Sequence, residues 1–177
     1  MGSDASACAS LTVIIDRVLP LLILSVGLMA SSLTMAKPLS GVGRFKTLSS
    51  SCHYTLLGGH QGPCGLVELT RRGPSVISLR FTGSGPEDDI HHELTFVVIA
   101  EARSIPLHCE GGRCRLKAAN WNGNVSSASE GITDPIGLAI GVPKAWPAHG
   151  RCDLREGRLQ CEARLLDGAA LRAVAEL

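Results

Sequence analysis

Hydrophobic and polar residues alternate along much of this chain with a period of two. In VISLRFT, residues 76–82, Ile77, Leu79 and Phe81 take one face, while Ser78, Arg80 and Thr82 take the other. That spacing predicts a half-buried strand. ELTFVVIAEA, residues 93–102, is more apolar and rich in β-branched residues. It predicts a central strand covered on both faces over its middle. HYTLL (53–57) and GLVELT (65–70) flank a cysteine-closed loop, RRGPS (71–75) is a turn, and GSGPEDD (83–89) is an exposed loop. Further on, NWNGNVSSASEGITDP (120–135) reads as a long polar connection, and IGLAIGV (136–142) as a short strand ended by Pro143. In LLDGAALRAVAEL (165–177) the Asp167-Gly168 pair is a hairpin turn signal. It favours a strand over 169–176, although the alanines would also suit a helix.

The first 36 residues break the pattern. Val18 to Ala36 carries no charge, and its strongly apolar part, Val18–Ala30, has the length of a signal-peptide core. Small residues follow, with a cleavage motif at Thr34-Met35-Ala36. The expectation is an N-terminal apolar helix over 1–36, acting as signal peptide or as uncleaved membrane anchor, then a flexible polar segment over 37–51 and a β domain over 52–177. The membrane would enter only through residues 18–36. Either form is extracytoplasmic: periplasmic, in the cell envelope, or secreted.

Cysteine usage supports an oxidising compartment. Cys8 precedes the apolar run; Cys52, Cys64, Cys109, Cys114, Cys152 and Cys161 follow it. In HCEGGRCR, Gly111-Gly112 makes a two-residue hairpin loop, so Glu110 faces Arg113 and Cys109 faces Cys114. RCDLREGRLQC repeats this register about Glu156-Gly157: Leu154 faces Leu159, Asp153 faces Gln160, and Cys152 faces Cys161. Both cysteine pairs fall at non-hydrogen-bonded positions, where side chains approach most closely. Cys52 and Cys64 are left for each other. The fold class expected is all-β, an antiparallel sandwich or small barrel with two disulfide-stapled hairpins.

Composition narrows function mainly by exclusion. With 17 Lys and Arg against 16 Asp and Glu, and aromatics at 3%, the chain has neither the charge nor the stacking platforms for nucleic acid. No G-x-S-x-G, P-loop, G-x-G-x-x-G after a strand, or H-E-x-x-H occurs, so no catalytic residues are assigned and no cofactor is expected. The richest cluster is PEDDIHHE, where Asp88, Asp89, His91, His92 and Glu93 are candidate metal ligands. In a starting strand their alternation would keep them from sharing one ion. Ser126, Ser127, Ser129, Asp134 and the six histidines single out no triad. Trp121 and Trp146, both in turn-rich contexts, are candidate binding aromatics, though such residues more often close the end of a small core. The reading is a non-enzymatic binding or structural protein with an unknown protein or small-ligand partner. The alternatives are a secreted inhibitor acting through loop 53–63, and an enzyme or metal protein built on 87–93.

Overall fold

The computed structural model describes residues 41–84, 90–100 and 104–177. The expected N-terminal helix over 1–36 lies outside them. So do Asp88 and Asp89. Among the described residues the chain forms twelve strands: β1 Gly43–Leu48, β2 Ser51–Thr55, β3 Gln61–Pro63, β4 Leu66–Arg71, β5 Val76–Ser84, β6 His91–Ile99, β7 Leu107–Glu110, β8 Gly112–Leu116, β9 Asn120–Thr133, β10 Lys144–Arg155, β11 Arg158–Leu165 and β12 Ala170–Glu176. The segment 37–51, expected as a flexible polar stretch, is described from residue 41 onward. It contributes β1, which pairs along its whole length with β4.

All twelve strands join one sheet in the order β3-β2-β12-β11-β10-β9-β6-β5-β4-β1-β8-β7, curled into a half-barrel. This corrects the expected sandwich or closed barrel: there is one sheet, and its two edges, β3 and β7, do not pair. Nor is it wholly antiparallel, since β1 and β8 run parallel at Gly43–Gly112 and Arg44–Arg113. The inner face holds the core. Leu79 lies opposite Phe96, and Phe81 opposite Leu94, across β5 and β6. The two phenylalanine rings meet edge to face with centroids 6.1 Å apart. β6 is central as expected, but it is buried on one face only. Leu94, Phe96 and Val98 are fully covered, whereas Thr95 and Val97 are half-exposed on the other side.

Strands β9 and β10 make the curl. Residues 120–135, expected as a polar connection, form the longest strand of the sheet over Asn120–Thr133. Asn120, Asn122 and Asn124 point to solvent, while Trp121, Gly123 and Val125 point inward. An extra residue, Ser126, then separates the partners of Val97 and Val98, and its hydroxyl donates to the Val97 carbonyl. Beyond this bulge the buried parity shifts to Ala128. β10 is irregular at the same level, between Pro147 and Gly150. Gly150 has no room for a side chain there, because a Cβ would stand 1.9 Å from the Glu162 carbonyl oxygen.

The hairpin registers agree with the sequence reading. Cys109 lies opposite Cys114 and Glu110 opposite Arg113; Cys152 lies opposite Cys161, with Asp153–Gln160, Leu154–Leu159 and Arg155–Arg158 inside it. All three disulfides are local, at separations of 12, 5 and 9 residues. Both two-residue turns take positive φ at each position: 56° and 79° at Gly111-Gly112, 51° and 88° at Glu156-Gly157. Residues 170–176 form a strand, not a helix.

Two outcomes follow. Among the described residues, Glu156 is the only non-glycine at positive φ. Glu156→Asn, which tolerates that region, should stabilise the protein by about 0.5–1 kcal/mol in urea unfolding. Removing the buried Cys152–Cys161 bridge as the double alanine variant should cost about 2–3 kcal/mol in the same assay.

Candidate functional site

One groove combines apolar lining with nearby polar groups. It is built where the β2–β3 hairpin crosses the end of the β5, β6 and β9 strands. Burying Cys52 and Tyr54 turns β2 inward, and the hairpin is drawn down at both ends. At its base, Cys52 and Cys64 are bridged and the Gly65 N–H donates to the Thr82 carbonyl. At its tip the Leu57 N–H donates to the Glu130 carboxylate on β9. Gly83 makes the crossing possible, because a Cβ there would stand 2.1 Å from the Pro63 carbonyl oxygen and 2.8 Å from the Tyr54 ring.

The groove so formed encloses about 890 Å³. Leu56, Leu57 and Pro63 line it from the hairpin, His92 and Ile132 from the sheet, and Ile140 and Val142 from the loop between β9 and β10. Within that loop, 134–143, the segment 136–142 expected as a short strand is instead an exposed flap. Ile136 is 81% exposed, Leu138 63%, Ile140 51% and Val142 90%. These four are a majority of the seven large apolar side chains that stand exposed among the described residues. The flap's shape is held by its own hydrogen bonds. The Asp134 carboxylate accepts from the Ile136 and Leu138 N–H groups at 3.1 and 2.7 Å, the Asp134 N–H donates to the Leu138 carbonyl, and the Ile140 N–H donates to the Ile132 carbonyl. The signal for a flap was present in the sequence: Pro135 and Pro143 bracket the segment, and Gly137 and Gly141 both take positive φ.

The candidates named from sequence are dispersed. His92 shares the inner parity of Leu94 and reaches the groove, whereas Glu93, on the opposite parity, faces Arg80 at 3.6 Å. His91 shares the parity of Glu93. Alternation thus separates the three, and among the described residues no three His, Cys, Asp or Glu side chains gather around a common point. Neither tryptophan is an exposed loop aromatic. Trp121 is 5% exposed within β9, its indole N–H without a partner among the described residues, and Trp146 is half-buried in β10 against the core. Asp134 shapes the flap. Ser126 occupies the bulge. The 53–63 segment is not a protruding loop but the paired hairpin just described, exposed at its tip over 58–61.

Tyr54 lines the groove, and burial pushes its phenol above the ordinary value. No protein-family model, curated protein or solved structure matches the chain.

Tyr54 is the only tyrosine, so phenolate absorbance reports on this site alone. Its titration midpoint should lie above the usual 10.0 in the folded protein and fall to that value in denaturant. Because the neutral phenol is favoured in the native state, this contribution to stability is complete below the unfolded pKa and is lost as pH rises through the folded one.

Proposed function

We propose that the protein is an exported, non-enzymatic binding protein whose groove beside the 134–143 flap receives an apolar partner. The observation that carries this is the flap itself. Four aliphatic side chains are held in water by a hydrogen-bonded turn, next to a groove lined by Leu56, Leu57 and Ile132. An apolar patch of more than a few hundred Å² is unusual on a soluble domain unless something covers it. Burying such side chains on association is worth roughly 1.5–3 kcal/mol each before ordering costs.

Three disulfides in a chain of this size suggest an oxidising extracytoplasmic setting. They also suit a scaffold that must hold exposed apolar surface without unfolding. A binding role accounts for the groove better than chemistry does. The Glu130 carboxylate already accepts the Leu57 N–H and so acts as a structural tie. His92 is parted from His91 and Glu93 by strand alternation.

The test uses an environment-sensitive anilinonaphthalene sulfonate dye on dilute folded protein. Its fluorescence should rise with the wild type. It should fall several-fold in Ile132→Gln, whose side chain lines the groove outside the buried core, at unchanged melting temperature. No enhancement, or one undiminished in the variant, would remove the groove as a binding site.

A further inference from the structure

Resting on the reading of the groove as an apolar binding site, we infer that its occupant is a second copy of this chain. Two copies associate about a twofold axis, each laying its flap over the other's groove. Flap and groove are neighbours, sharing Ile140 and Val142. A twofold interface needs a single patch that is complementary to itself, and a protrusion beside a recess of the same chemistry meets that need.

The sequence of the flap favours this occupant. Ile136, Leu138, Ile140 and Val142 alternate with Gly137, Ala139 and Gly141, so small residues leave gaps between large ones. Two such segments running antiparallel can interdigitate. The ends agree in charge as well. Between Asp134 and Lys144 the segment carries no charge, and antiparallel alignment brings Asp134 of one copy towards Lys144 of the other. One Asp134 carboxylate oxygen is occupied by the turn, and the second, without a partner among the described residues, can accept from the ammonium.

The area is also of the right order. The four exposed side chains present roughly 500 Å² per copy, at the upper end of the largest patch on a typical monomer. A stable interface buries about 800 Å² per partner. Leu56, Leu57 and Ile132 on the groove walls supply apolar surface towards the remainder. The result is a dimer of modest affinity, concentration-dependent and weakened by truncating the flap.

Sedimentation velocity over a concentration series tests this. The wild type should pass from monomer to dimer as concentration rises, and dye fluorescence per molecule should fall over the same range. Ile136→Ser combined with Leu138→Ser, neither of which lines the groove, should remain monomeric and stay bright, as should Ile132→Gln remain monomeric. Both flap residues are exposed, so the double variant should melt within a few degrees of the wild type. Lys144→Glu, which sets like charges opposite each other, should weaken the dimer at low salt and less so at high salt. Mixing the flap variant with Ile132→Gln should recover part of the association, because one intact flap then meets one intact groove. A wild type that stays monomeric while still binding the dye would overturn the second copy as occupant and leave the groove reading standing. A monomer that does not bind the dye would overturn both. A flap variant that dimerises like the wild type would also overturn the proposal.

Discussion

The structure depends on the pairing of β9 between β6 and β10. Those two ladders join the β1–β4–β5–β6 side to the β10–β11–β12–β2 side. The local irregularities at Ser126 and at Ala148-His149 fall at one level of both ladders, so the strands change direction together. Without that shared bend, the inner face of β2, with Cys52 and Tyr54, could not come to lie over Gly83 of β5. The groove exists because the sheet curls far enough to bring its β3 edge against β5, but not into pairing with it.

Glycine is what permits the two closest approaches. At Gly150 and Gly83 the neighbouring carbonyl oxygens occupy the space a methyl group would need. Each lets one strand lie against another at a distance no other residue allows. The core then fills itself with medium and large aliphatics, two phenylalanines and one T-shaped aromatic contact, while the outer face is left to Asn, Arg and Glu.

What the sequence made legible was local. The two hairpin registers, the strand of Ile77, Leu79 and Phe81, and the alternation that separates His92 from His91 and Glu93 all depend on residues a few positions apart. The misreadings were all set by distant partners. β9 looked like a connection because its outward positions are Asn and Ser and two of its inward positions are Gly123 and Ala128. Gly123 is small because the Val98 side chain and the Trp121 ring already fill that space. IGLAIGV has the period of a strand, but among the described residues no ladder receives it beyond a single bridge between Thr133 and Ala139. The groove itself was not legible, since it requires knowing that residues 56–63 and 140–142 meet.

The three disulfides span only 12, 5 and 9 residues, and this bears on how the oxidised chain is reached. Among the fifteen ways to pair six thiols, these are the short closures, and short flexible loops are the ones a disordered chain samples most often. Each native bridge can therefore form while its hairpin is the only structure present, before any contact between distant strands. The order of oxidation is then immaterial. The slow step left to the molecule is the non-local one, the pairing of β12 with β2 from opposite ends of the domain's sequence.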